Sequence, residues 1–440
     1  MKRIANIPDK KDLKRVVVIG GGFAGHHFAK KINKKRYQVV LIDKVNYYQF
    51  QPLMYQVATA GLEPSSISYP HRKAFQKQPN FHFRTCEALE VDASRNTVDT
   101  TIGEICYDHL VIATGCDTNY FGNDALKDST FGLKSISESL LIRNRILLSF
   151  EQATNTNRED ELEKMLNFVI VGGGATGVEL SGALAEMKKT ILPKDYPDLD
   201  VCKMKIHLVD SSPRLLGGMS EHASEQTAKA LKKRGVVIHQ GRVLSYEDCL
   251  IKIDNGEELY TQNVFWVAGV MPNSIKGLRE ESYERGRLSV NEFHQVRGYE
   301  NVYCIGDTAL MTSDEYPKGH PQVAQPAIQM AANLAENLNK IIKGNSGISQ
   351  FRYKDKGSLA TIGRNAAVAD LGRFKFSGMI AWWLWLLVHI MSIVGMKNKL
   401  FIFMDWVWNY FTYDASLRLL ILPKLNSIYK KNATVAEDEE

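Results

Sequence analysis

Six glycines, in two sets of three, define the chemistry this chain can do. Val16-Val-Val-Ile-Gly20-Gly-Gly22-Phe-Ala-Gly25 and Phe168-Val-Ile-Val-Gly172-Gly-Gly174-Ala-Thr-Gly177 each set a buried-strand pattern ahead of a Gly-x-Gly-x-x-Gly spacing. In that spacing the first glycine permits a tight turn. The second lets backbone approach a pyrophosphate, and the third lets the next helix pack close to the strand. The helix N-terminus then offers unbonded amides and the positive end of its dipole to the phosphates. Each copy is a candidate dinucleotide site. Two sites in one chain suggest two dinucleotides held so that electrons pass between them.

Acidic residues complete both patterns. Asp43 closes the second apolar run, 23 residues after Gly20, where a carboxylate can accept bonds from an adenosine ribose. Asp210 stands 38 residues after Gly172, with an insertion around Lys188–Cys202 taking up the extra length. Ser211 and Ser212 follow it, so no arginine stands at once beside it for a 2′-phosphate. That favours NADH over NADPH, and Arg214 keeps the question open. Glu179 lies just inside the second helix. It reads equally well as a stabiliser of the helix N-terminus and as a group orienting a nicotinamide. Two more strands end in small residues, Leu110–Gly115 and Asn301–Asp307. Asp307 could bind a ligand hydroxyl, cap a helix turn, or do both.

The elements that must position these residues define an α/β chain with two Rossmann-like dinucleotide-binding domains of the flavin disulfide-reductase type. The polar run Glu151–Lys164 separates the halves, and the Asp307 segment returns the chain to the first domain, so the second domain is inserted in the first. The expected boundaries are 1–150 and 297–350 for the first domain and 151–296 for the second. A C-terminal amphipathic membrane-anchoring region occupies 351–440.

Composition narrows the partners. The chain has 440 residues, 44% of them hydrophobic, and a formal charge of +6. Two or three domains are expected at this length. Six cysteines without a Cys-x-x-Cys pair argue against iron–sulfur clusters and structural zinc, and no metal site is expected. The short charged N-terminus lacks the apolar core of a secretory signal, which puts the body on the cytoplasmic side. Nucleic acid is not an expected partner. The basic excess gathers late, with eight Lys/Arg between Leu371 and Lys431 against Asp405 and Asp414 alone. These bases are interleaved with Trp and Phe, which fits anionic lipid.

Gly378–Met396 holds 19 residues without Asp, Glu, Lys or Arg, among them Trp382, Trp383 and Trp385. That length could just cross a bilayer. Tryptophans at several depths, the flanking Arg373, Lys375, Lys397 and Lys399, and the short second segment Leu400–Phe411 favour an anchor lying in the interface. Arg418, Lys430 and Lys431 add basic charge. On this reading a cut before Phe376 leaves a more soluble body, and Glu437–Glu440 form a solvated acidic end.

Beyond the two fingerprints, several segments are more specific: Asn46-Tyr-Tyr-Gln-Phe-Gln-Pro52-Leu53-Met-Tyr-Gln-Val-Ala-Thr59, Trp266-Val-Ala-Gly-Val270, Ala324-Gln325-Pro-Ala-Ile-Gln329, Gly357-Ser-Leu-Ala-Thr-Ile-Gly363-Arg364 and Asp405-Trp-Val-Trp-Asn-Tyr-Phe-Thr-Tyr413. With these the chain resembles the type II NADH:quinone oxidoreductases, single-chain respiratory dehydrogenases that do not pump protons. The resemblance implies FAD on Gly20, Gly22, Gly25 and Asp43, with Thr114, Gly115 and Asp307 completing the site and Pro52 and Leu53 near the flavin ring. It implies NADH facing Gly172, Gly174, Gly177 and Glu179, beside Gly269. It implies Gln325 and Gln329, one helical turn apart, lining a quinone pocket, and a homodimer. Hydride would pass from NADH to the flavin and two electrons onward to a quinone, whether menaquinone or ubiquinone. Met330, Tyr48 and Asp210 depart from commoner members, and the first two are expected to alter the quinone entrance. The rival readings are a sulfide:quinone oxidoreductase, which needs a pair of flavin-side cysteines, and a non-catalytic flavin-bearing scaffold.

Overall fold

Val16, Val17 and Val18 have no polar face to offer solvent, and all three are fully buried. The computed structural model describes residues 6–413 and 417–421. In it, strand Lys14–Ile19 lies in the middle of five parallel strands, in the order Val302–Cys304, His109–Ile112, Lys14–Ile19, Tyr37–Asp43 and Phe81–Thr85. A parallel sheet covered on both faces needs such unbroken apolar runs. The second sheet repeats the arrangement, with Val236–Gln240, Lys205–Asp210, Asn167–Val171 and Asn263–Trp266 all parallel. The strand at Val302–Cys304 pairs with His109–Ile112, so the chain leaves the first sheet, builds the second and returns. Departure and return are tied together where Cys116–Thr118 pairs antiparallel with Val270–Pro272.

Six helices position the sites. Helix α1 (Phe23–Lys31) and helix α2 (Met54–Ala58) belong to the first domain, and α3 (Ala175–Thr190) opens the second. Helix α4 (Ala324–Ile341) packs on α1, and its buried alanines Ala327, Ala331 and Ala335 keep that packing close. Helices α5 (Met379–Ser392) and α6 (Met396–Thr412) follow a three-stranded antiparallel sheet, Ser358–Gly363, Ala366–Leu371 and Phe374–Gly378.

The C-terminal region is built into the body of the protein. The apolar stretch is not one long rod: α5 ends at Ser392, and a break through Gly395 precedes α6. Fourteen helical residues reach about 21 Å, short of the roughly 30 Å hydrocarbon core. Among the described residues no helix is long and apolar enough to cross a membrane. Nor does a separable anchor start near Phe376. Strand Phe374–Gly378 completes the three-stranded sheet, and Ala381 and Trp385 lie in the same buried cluster as Phe168 and Leu180. The other face of α5 exposes Ile380, Trp383, Leu387 and Met391, and α6 exposes Leu400, Phe403, Val407 and Trp408. Lys430, Lys431 and Glu437–Glu440 lie outside the described residues.

Candidate functional site

The two glycine loops are built alike. Gly20 and Gly172 have φ of +97° and +120°, and each donates its N–H over 2.8 Å to the neighbouring strand, to Ile42 and Val209 respectively. A Cβ on Gly25 would stand 1.8 Å from the Gly20 carbonyl oxygen, and one on Gly177 would stand 1.8 Å from that of Gly172. Gly22 and Gly174 differ: a Cβ there would meet nothing within 4 Å. Both precede helices without a side-chain cap or an acidic first turn. Uncapped amides facing open space suit an anionic group, and the loops thus fit the pyrophosphates of two dinucleotides. The acids also act alike. Asp43 accepts from Gly21 N at 2.5 Å and from Val45 N at 2.9 Å, and Asp210 accepts from Gly173 N and Ser212 N. Burial raises the Asp43 carboxyl above its usual range, against the pull of those backbone bonds.

A cavity of about 620 Å³ runs from the first loop past Gly22 and Asp43 to Gly115, Lys134 and Asp307. Asp307 does not cap the short turn Gly306–Thr308. Its carboxylate accepts from the Cys116 thiol at 3.1 Å. Thr114 bonds to Thr308 at 3.0 Å and to the Asn273 carbonyl at 2.7 Å, fastening one sheet's strand end to the return of the other domain. From the segment ahead of α2, Gln49 and Gln51 line this cavity. Pro52 is half-buried, and Leu53 is fully buried in the apolar cluster.

A second, smaller pocket of about 170 Å³ opens between α2, α3, α5, α6 and strand Ser358–Gly363. Glu179 is its deepest acid. The carboxylate turns into this pocket, where Oε1 accepts from Trp385 Nε1 at 3.3 Å and from Thr361 N at 3.4 Å. Burial pushes the Glu179 carboxyl up to about 8, and two long hydrogen bonds offset it only in part. Trp406 donates to Gln56 at 2.9 Å, and Gln56 donates to the Tyr55 hydroxyl at 2.8 Å. Arg364 closes the rim. Its guanidinium donates to the Asn409 carbonyl at 2.7 Å and the Tyr410 carbonyl at 3.2 Å, and stands 3.8 Å from the centre of the Tyr413 ring.

The remaining candidates fall as follows. Gln325 is half-buried on α4, whose Ala324 and Ala327 line the large cavity. Gln329 bonds to the backbone of Lys354 at both ends of its amide. Gly269, exposed and at φ +67°, lies against Phe121 and Asn119. Arg214 is held within its own loop, donating to Gly217, Met219 and Ser224. Met330 and Tyr48, both about 1% exposed, lie within apolar cores and line neither pocket. Spacing alone missed Trp385, Tyr55, Gln56, Thr361 and Cys116. The segments holding most of them stood out, but nothing in them marked which side chains turn inward.

Residues 14–331 match the family model for pyridine nucleotide-disulphide oxidoreductases, and residues 356–412 match the NDH2 C-terminal domain. The type II NADH:quinone oxidoreductase Ndh of Mycobacterium tuberculosis is 34% identical, over 89% of this chain and 87% of its own. NdhA of the same organism is 32% identical, over 89% and 86%. Among solved structures, NDH2 from Plasmodium falciparum in complex with NADH superposes with a TM-score of 0.86 at 22% identity, covering 93% of this chain and 100% of that one. The sulfide:quinone oxidoreductase of Aquifex aeolicus reaches 0.70 at 20% identity, covering 91% and 96%.

Proposed function

The chain belongs to the type II NADH:quinone oxidoreductases, and from that premise we propose which of its residues carry each part of the reaction. The enzyme is FAD-dependent and passes reducing equivalents from NADH to a quinone without pumping ions. When bound, FAD supplies a two-electron carrier able to take hydride on one side and reduce an acceptor on the other. The repeated loop carries this reading: two uncapped helix N-termini, each with the same strand bond, the same tight helix contact and the same acid.

In this reading Gly20, Gly22, Gly25, Asp43, Thr114, Gly115 and Asp307 hold FAD. Gly172, Gly174, Gly177, Asp210 and Gly269 hold NADH. The pocket at Glu179 receives the quinone head. It adjoins α5 and α6, whose outer faces are apolar, and Gln51 of the large cavity stands a few residues before Tyr55 and Gln56 of this pocket. Glu179, protonated near neutral pH, holds a proton beside that pocket for transfer to a quinone oxygen. Pro52 and Leu53 belong to the segment that leads into α2, and Gln325 and Gln329 lie on α4, beside the large cavity. Stopped-flow measurement of both half-reactions tests the reading. NADH should bleach the flavin anaerobically, and a quinone analogue should restore it. Protein with full flavin that NADH does not bleach would refute it.

The exposed face of α5 and α6 is the surface for membrane lipid, giving monotopic attachment at the cytoplasmic face. Apolar burial contributes roughly 25 cal/mol per Å², so detergent should release the enzyme more fully than salt. A homodimer is proposed on family membership alone, and light scattering in detergent tests it. A sulfide reaction has less support. Cys86 bonds beside Asp43, Cys116 beside Asp307, and all six cysteines are unpaired.

A further inference from the structure

Helix α5 has two faces with different surroundings. The outer face exposes Ile380, Trp383, Leu387 and Met391, while Ala381 and Trp385 are buried. Trp385 has one polar atom, an indole N–H that can only donate. It donates to Glu179, 206 residues earlier in the chain. The ring that carries this N–H is fixed from several sides. His389 stacks on it at 4.0 Å with 24° between the planes, and the His389 Nδ1 bonds to the Trp385 carbonyl at 2.7 Å. Tyr55 and Trp406 meet the ring at 6.5 and 5.7 Å. The other donor to Glu179 is the backbone of Thr361, so among the described residues Trp385 is the one side-chain donor shown on that carboxylate.

We propose that Trp385 is a positioning residue for quinone reduction: its indole N–H holds the Glu179 carboxylate and so sets when that group releases its proton. The proposal rests on the reading of Glu179 as the proton-holding acid of the quinone pocket. The other ionisable groups facing the pocket are Tyr55 from α2, Glu186 from α3, Arg364 just past strand Ser358–Gly363, Tyr410 from α6 and Tyr413 just past it. On α5 the His389 ring backs Trp385. None of the charged ones is well placed to hold Glu179. Arg364 is turned to the end of α6, its backbone N–H is on Glu186, and no charged group contributes to the Glu179 shift. An N–H bonded to a carboxylate favours its charged form. Removing that donor leaves desolvation less opposed, and the proton is held more tightly.

The test titrates Glu179 directly in the full-length, flavin-loaded enzyme. The infrared carbonyl band of protonated carboxyl groups is followed against pH in wild type, Glu179→Gln and Trp385→Phe. Phenylalanine keeps a ring against His389 and deletes the donor. The expected result is a band titrating near pH 8 that is absent in Glu179→Gln and whose midpoint rises by about one pH unit in Trp385→Phe, a tenfold tighter proton. A band lost in Glu179→Gln but unmoved in Trp385→Phe overturns the role of Trp385 and leaves that of Glu179 intact. A titration that persists in Glu179→Gln overturns both. Should Trp385→Phe not fold, wild type decides the matter through its indole ¹⁵N–H resonances. One of them should shift with the same midpoint and lose that shift in Glu179→Gln. No pH-responsive indole resonance overturns the proposal.

Discussion

Gln329 holds Lys354 at both ends of one amide. Its Oε1 accepts the Lys354 N–H at 3.0 Å and its Nε2 donates to the Lys354 carbonyl at 2.9 Å. Lys354 lies four residues before strand Ser358–Gly363, which brings Thr361 to Glu179. The glutamine therefore fastens α4 to the chain that enters the pocket at Glu179.

Gln329→Leu should lose both bonds and leave backbone groups to be resolvated, destabilising the protein by about 1–3 kcal/mol. Quinone-driven reoxidation should slow at the same time. Gln325→Leu should slow reoxidation with little change in melting temperature. Thermal melts beside stopped-flow reoxidation check this, and equal melting of the two variants would show that the clamp adds nothing.

The glycines separate ligand contact from folding. Gly22→Ala and Gly174→Ala place a methyl in open space, so the variants should fold and bind FAD and NADH, respectively, several-fold more weakly. Gly25→Ala and Gly177→Ala drive a methyl into a carbonyl oxygen, and should express poorly or unfold. Flavin content, NADH titration and far-ultraviolet circular dichroism make the comparison. A Gly25→Ala protein with normal flavin would refute the close-packing account.

Glu179→Gln should slow quinone reduction at least tenfold near neutral pH and remove its alkaline limb near pH 8. Stability should change with pH as well. The folded-state value of Glu179 lies above the ordinary 4.5, so its stabilisation is complete below about pH 4.5 and fades as pH rises through about 8. Glutamine does not ionise. Relative to wild type, the variant should therefore gain stability between pH 5 and 9, by up to a few kcal/mol. Denaturant melts across that range test the sign, and a gain toward acid would contradict it.

Nucleotide choice should favour NADH. Asp210 sits where a 2′-phosphate would bring like charge, and Arg214 is bonded into its own loop. Asp210→Asn should raise kcat/KM for NADPH several-fold, whereas Arg214→Ala should not lower it selectively. A wild-type preference for NADPH would reverse the assignment.

Charge on the outer face of α5 should weaken attachment without unfolding. Trp383 and Leu387 are 57% and 59% exposed, so Trp383→Asp with Leu387→Asp should reduce sedimentation with anionic vesicles while flavin content holds. Truncation before Phe376 should instead uncover the core around Trp385 and lower stability. A truncated chain as stable as the whole would return the tail to the status of a separable anchor.

Both dinucleotide loops and the return of the chain through Asp307 were legible in the residues. Local backbone sterics and burial on both faces dictate that glycine spacing and those valine runs wherever they occur. The apolar C-terminal stretch was legible too, but its form was not. Composition counts hydrophobic residues and cannot tell that Ala381 and Trp385 turn inward while Trp383 and Leu387 turn out. Glu179 shows the same limit. Its place beside the second loop left a stabiliser of the helix N-terminus and a nicotinamide partner equally open, while its environment comes from Thr361 and Trp385, 182 and 206 residues away in sequence. A carboxyl group's proton affinity depends on what surrounds it in space, and only the tertiary packing of α3 against the C-terminal sheet and α5 decides that.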